Sequence, residues 1–195
     1  AINPWYVDYY GRLNANCLLV PHGVRGEDRM DRADMAQHHR DTWGDYAVMA
    51  AGINYRTNYA LLMEVARRHP ELHLVVVGQL FAVEPALQRQ RDALFQLPNV
   101  SYVGVKHPDA LRDIIRGARM GLVTYDFEPT RSIPVTGVGT PLKVITYLSQ
   151  GCPVVSTPSA MTASPRLPPR ATMVRAMAAS FGSTSTSRTK DLSIF

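Results

Sequence analysis

Gly139-Thr140-Pro141-Leu142-Lys143-Val144-Ile145-Thr146-Tyr147-Leu148-Ser149-Gln150-Gly151-Cys152-Pro153-Val154-Val155-Ser156-Thr157 reads as loop, short helix, glycine stop and buried strand. Gly139 and Thr140 are N-cap residue types, and Pro141 suits a first helical turn. Pro141, Leu142, Ile145 and Leu148 recur at helical spacing and predict the apolar face of that helix. Gly151 is placed for a left-handed C-cap, and Pro153 forbids further helix. The predicted helix opens from a Gly-rich loop and carries Lys143 on its first turn. Free backbone N–H groups, the positive end of the helix dipole and a flexible ammonium together make a seat for a phosphate.

Upstream of this stretch the chain alternates between apolar runs and amphipathic segments. Residues 47–51 read as a buried strand that ends at Gly52. Residues 58–69 carry Leu61, Leu62, Val65 and Ala66 on one helical face, and Pro70 stops them. His73 to Gly78 is the clearest strand. Helices are predicted over 86–97 and 108–117, and strands over 100–104 and 120–125. Continuous apolar strands alternating with helices of this length predict an α/β fold: a Rossmann-like parallel sheet covered by helices on both faces. Ligands of such sheets bind at the carboxyl ends of the strands, near a switch in strand order. That places the loops beginning at Gly52, Gly78, Gly104 and Tyr125 around the predicted phosphate helix.

The opening stretch resembles the donor-site helix of GT-B glycosyltransferases, close to their group 1, family 4-like branch. The branch pattern runs Pro-x-Lys-x-x-Glu-Tyr-Leu-x-x-Gly-x-Pro-Val-Val-Ser-Thr. Pro141, Lys143, Tyr147, Leu148, Gly151, Pro153, Val154, Val155, Ser156 and Thr157 all fit it, and Thr146 stands where the pattern has Glu. Val20-Pro21-His22-Gly23-Val24 is similar to the segment that closes the first domain of such enzymes. The resemblance spans residues 17–158 and implies one half of a GT-B fold, the C-terminal donor-binding domain. It divides the chain into the end of a preceding domain with its connection (1–45), a nucleotide-sugar-binding domain (46–158) and an irregular basic tail (159–195). Cys17 to Val20 is expected to be a short strand and 25–45 an exposed connection. The tail is low in complexity and is expected to be disordered. The expectation is that a family-like frame is interrupted near residue 158.

The resemblance implies a sugar transferred from a UDP- or GDP-linked donor to a saccharide or lipid-linked acceptor. It implies no metal and no cofactor beyond that donor. Candidate donor-binding residues are Gly52, Asn54, Arg56, Tyr125, Thr140, Leu142, Lys143 and Thr146; no catalytic residue is assigned. Thr140 and Leu142 would offer backbone N–H groups, and Lys143 an ammonium. Arg56 would clamp a phosphate with two parallel donors, and Tyr125 would lie near the base. Glu at position 146 would accept bonds from ribose hydroxyls, whereas Thr146 has only one short hydroxyl. That departure supports an alternative reading, a non-catalytic nucleotide-binding or interaction module with a degenerate GT-B fold. The isolated chain is expected to bind donor weakly and transfer little.

Composition bounds the remaining classes. The formal net charge of +5 over 195 residues comes largely from the tail, which holds five of the 21 basic and one of the 16 acidic residues. The near-neutral remainder gives no electrostatic footprint for nucleic acid. No apolar run reaches the length of a membrane span. A cytoplasmic location, with peripheral association at the inner face of the membrane, fits the resemblance. Cys17 and Cys152 sit in apolar runs and are expected to be buried thiols. His38 and His39 have no partners at metal-ligand spacing. Gly78 lacks the further glycines of a dinucleotide fingerprint, and no P-loop pattern occurs.

Overall fold

The computed structural model describes residues 4–24, 33–125, 142–157 and 193–194. In chain order the elements are α1 (Pro4–Gly11), α2 (Ala33–Trp43), β1 (Tyr46–Ala50), α3 (Tyr59–Arg68), β2 (His73–Val77) and α4 (Pro85–Phe95). There follow β3 (Val100–Tyr102), α5 (Pro108–Gly117), β4 (Met120–Val123), α6 (Leu142–Ser149), β5 (Val154–Ser156) and β6 (Ser193–Ile194). The strands form one sheet in the order β3-β2-β1-β4-β5-β6. The first five are parallel, and β6 pairs antiparallel with β5 through Val155↔Ile194 and Ser156↔Ser193. Strand order reverses between β1 and β4, so the crevice of a doubly wound sheet opens there.

Strand residues alternate between two cores. Tyr46, Val48, Val75, Val77, Val123 and Val154 meet Ile114 and Ile115 of α5 and Val144 and Tyr147 of α6. Ala47, Met49, Leu74, Val76 and Leu122 meet Leu62 of α3 and Leu87 and Leu94 of α4 on the other side. Both faces are therefore covered, as the continuous apolar strands predict. Local signals set the helix boundaries. Asn58 caps α3 by accepting from Leu61 N at 3.0 Å, and proline opens both α4 and α5.

Three expectations change. Residues 17–20 are not a strand: Leu18 and Val20 are 74% and 65% exposed, with no strand beside them among the described residues. An apolar run becomes a strand only where a neighbour takes its backbone groups. The segment before β1, expected to be an exposed connection, carries α2 instead. Ala36 is buried there, and a Cβ at Gly117 would run into the backbone of Ala36, so α2 packs closely on α5. Small and aromatic residues (Ala36, His39, Trp43) make that face, and no aliphatic period announces it. Finally, the expected stripe on α6 faces outward. Leu142 and Leu148 are 60% and 40% exposed, whereas Val144 and Tyr147 are buried. Both cysteines are free thiols. Cys152 is buried, and burial pushes its thiol up to about 12, while Cys17 is only half-buried.

Two histidines make the fold sensitive to acid. The His39 ring stacks on Trp43 with centroids 5.3 Å apart. Burial lowers its pKa from 6.5; His38 and Lys106 add to that, and Asp113 opposes it. His73 Nε2 lies 2.8 Å from Ser101 Oγ, and burial lowers its pKa too. In both cases the folded state prefers the neutral ring, so below about pH 6.5 the unfolded chain binds more protons. Stability is expected to be level between about pH 6.5 and 7.5 and to fall as pH drops from 6.5 toward 5.5. Thermal melts at pH 7.5 and 5.5 check this; a higher Tm at 5.5 would contradict it.

Candidate functional site

The site is built from the segments that leave β1 and β4 and from the start of α6. The chain leaving β1 folds on itself through Asn54. Its Oδ1 accepts from Arg56 N at 2.9 Å, and its carbonyl accepts from Thr57 N and from the Tyr59 hydroxyl, each at 3.0 Å. This is an Asx-type turn, and it fixes the backbone at Arg56. The same loop is stapled to the end of β4: Asn58 N donates to Thr124 O at 3.1 Å, and Thr57 bridges Tyr125 in antiparallel fashion. Tyr125 N in turn donates to Thr157 Oγ1 at 3.1 Å, which ties β4 to the end of β5. Three strand tips are thus locked around Tyr125.

Lys143 reaches this point from α6. Its Nζ lies over the Tyr125 ring, 4.5 Å from the centroid, a cation–π geometry. Among the described residues no carboxylate pairs with it. Burial pushes its pKa down to about 8, because removal from water penalises the charged form. The Arg56 guanidinium lies near enough for its charge to act on the same phenol. Burial raises the Tyr125 pKa, and the Arg56 charge partly offsets this. Arg56 Nε also donates to the Tyr55 hydroxyl at 3.2 Å, and its Cζ lies 5.5 Å from that ring. One cation thus rests on Tyr125 at the strand tips, and the charge of a second acts on the same phenol. Such a cluster suits a ligand with two or more negative charges, which would repay the desolvation of the amine.

The other sequence candidates divide. Gly52 lies exposed at the exit of β1 under the Phe81 ring, where a Cβ would meet Phe81 Cε2 at 2.9 Å. Asn54 organises the loop through its own backbone bonds. Leu142 opens the helix beside Lys143 with its side chain in water. Thr146 Oγ1 donates to Leu142 O at 3.1 Å, so the hydroxyl is engaged with its own helix. Thr140 lies outside the described residues, as do Gly139 and Pro141.

Sequence reasoning missed the part played by Tyr147. Its ring is fully buried, and its hydroxyl accepts from Ala50 N at 2.7 Å and faces Leu122 O at 3.4 Å. A tyrosine one turn from Lys143, together with a glycine inside β4, is the signal that was available. Gly121 leaves room for that ring, since a Cβ there would lie 2.5 Å from Tyr147 Cδ2.

The family model described as glycosyl transferases group 1 matches residues 48–168. Among solved structures, HepE of Anabaena in complex with UDP-glucose is similar at a TM-score of 0.55 and 14% identity. That match covers 75% of this chain and 40% of HepE. HepE in complex with UDP and glucose gives a TM-score of 0.52 at 11% identity, covering 70% of this chain and 37% of the other. At such identities the likeness is one of fold, and the chain spans less than half the length of these structures. No curated protein matches it by sequence.

Proposed function

Because this chain belongs to the glycosyl transferases group 1 family, we propose that it is the donor-binding half of a GT-B sugar transferase. The observation that carries this reading is the Lys143 ammonium over Tyr125 at the strand tips, with the Arg56 charge acting on the same phenol. A nucleoside diphosphate placed there would bring its pyrophosphate to the start of α6 and its charge to the two cations. As the bond between sugar and phosphate breaks, negative charge grows on the departing diphosphate. Preorganised cations stabilise that charge more than they stabilise the intact donor, which is the condition for lowering the barrier. The two side chains carry this load in the proposal, with no metal assigned. The base is uracil or guanine, and Tyr125 is positioned to lie near it. The acceptor is a saccharide or a lipid-linked saccharide, as polysaccharide assembly would supply. No described helix is long and apolar enough to cross a membrane, so association with the cytoplasmic membrane face, where it occurs, would be peripheral.

The engaged hydroxyl of Thr146 favours a second reading, a nucleotide-binding module without transfer chemistry. Residues 1–195 by themselves are expected to bind donor and turn over little. Titration calorimetry with UDP-, GDP- and TDP-sugars, with and without EDTA, tests both readings. The expected result is measurable, EDTA-insensitive binding of one nucleotide class. Absence of binding to all three would remove the donor site; binding lost on chelation would move the charge load to a metal. Binding without any transfer by a longer chain that includes the acceptor domain would favour the module.

A further inference from the structure

We propose that Tyr147 is a positioning residue, whose hydroxyl in the seam between β1 and β4 fixes where α6 presents Lys143. What Lys143 then does rests on the donor reading above; the positioning itself does not.

The seam is visible in the pairing register. β1 follows β2 as far as Ala50↔Val77, and β4 follows β5 as far as Val123↔Ser156. Between them, β1 and β4 pair only at Ala47↔Met120 and Val48↔Gly121. Beyond those positions the Tyr147 hydroxyl stands between the strands, taking the Ala50 N–H and facing the Leu122 carbonyl. The phenol replaces a rung of the ladder, so a buried amide that the parting strands would leave alone is satisfied. Its ring lies flat on Gly121, with no space for a Cβ between them.

Tyr147 and Lys143 are four residues apart on one helical face. A shift of the ring therefore moves the ammonium relative to Tyr125. The far end of α6 is held separately. Gln150 Oε1 accepts from Arg116 Nη2, Cys152 N donates to Tyr147 O at 3.0 Å, and Gly151 turns the chain at φ 71°. With that end anchored, the hydroxyl sets the rotation of the helix about its axis. Val144 beside it supplies apolar contact, which is non-directional. Among the described residues the Tyr125 ring faces the Lys143 amine, and the Arg56 charge acts on that phenol; the desolvation that lowers the amine's pKa depends on that placement.

Tyr147→Phe removes the hydroxyl and keeps the ring. The chain has three lysines, Lys106, Lys143 and Lys190, so 13C-methylated lysine signals can be assigned and titrated by NMR. In the wild type the Lys143 signal should titrate near 8, and in Tyr147→Phe the midpoint should rise toward 10.5 as the amine regains water. UDP affinity should fall about tenfold, and in a Lys143→Ala background the Tyr147→Phe change should cost no further affinity. Tyr46→Phe is the structural control. Tyr46 is buried at the opposite end of β1, where its hydroxyl bonds Ile114 O; the variant should lose stability and leave Lys143 and UDP unaffected.

An unchanged Lys143 midpoint, or additive losses of UDP affinity in the double variant, would overturn the positioning role. If UDP, GDP and TDP all fail to bind yet the midpoint moves, the donor reading falls and the positioning stands. Should Tyr147→Phe not fold, 3-fluorotyrosine at position 147 weakens the bond accepted from Ala50 N, and the midpoint readout still decides.

Discussion

Lys143→Ala is expected to lower the affinity for UDP, or for whichever nucleoside diphosphate binds, by about ten- to a hundredfold. That range corresponds to loss of one charge-assisted hydrogen bond, roughly 1.5–3 kcal/mol. The wild-type affinity should also depend on pH in a definite direction. A pyrophosphate binds the protonated amine, and the free protein holds that amine at a pKa of about 8. Affinity is therefore level below about pH 7 and falls as pH rises from 7 to 9, since protonation must then precede binding. The slope should vanish in Lys143→Ala, which has no amine to titrate, and also in Lys143→Arg, whose guanidinium keeps its proton throughout the range. Calorimetry at pH 7, 8 and 9 on the wild type and the alanine variant is the decisive pair. An affinity that climbs toward pH 9 would take the Lys143 ammonium out of the site.

The second large effect concerns Gly78, where β2 turns away from the sheet. Its φ is 139°, a conformation that side chains rarely adopt, and a Cβ there would overlap the Ala51 carbonyl oxygen. Ala51 begins the segment that leads to Arg56, and Ala51 N pairs with Val77 O at 2.9 Å. The obstacle is backbone, which cannot rotate aside as a side chain can. Gly78→Ala should cost about 3–5 kcal/mol from strain and overlap combined, and lower Tm by about 10 °C or more. Gly104 provides the contrast. Its φ is also positive, at 73°, but nothing lies within 4 Å of its Cβ position. Gly104→Ala should cost only about 1–2 kcal/mol, the intrinsic penalty of a left-handed residue. If the two variants melt together, the contact with Ala51 does not govern stability, and the loop bearing Arg56 is less fixed than its hydrogen bonds imply.

Both effects arise where a local requirement meets a distant partner, and the same division runs through the whole chain. Periodicity and punctuation located β1, α3, β2, α4, β3, α5, β4 and β5 to within a few residues. Each is an apolar run or an amphipathic segment bounded by glycine, proline or a capping residue, and those signals act within one turn of the chain. Helix α5 spans the predicted residues 108–117 because Pro108 and Gly117 mark both ends. The spacing around Lys143 and the Pro-Val-Val-Ser-Thr run carried the family as well.

Which face of α6 is buried could not be read in the same way. Leu142, Ile145 and Leu148 are the more apolar choice by residue type, yet Tyr147 and Val144 turn inward. Gly121, 26 residues earlier in the chain, leaves room for the ring, and Ala50, nearly a hundred residues earlier, offers the N–H. A helix is oriented by the shape and unpaired backbone groups of the surface it lands on, and these belong to other strands. The same reason hid α2, whose docking depends on a glycine in α5. It also settled which candidate residues meet: Lys143 reaches Tyr125, and the loop bearing Arg56, 87 positions before Lys143, is tied to the same strand end through Thr57. Sequence by itself determined the elements, their order and the kinds of charge on offer, because those follow from short-range sterics and solvent preference. Tertiary structure alone decided the side α6 shows to the sheet and the placing of Lys143 over Tyr125, because both depend on contacts that exist only once distant strands are paired.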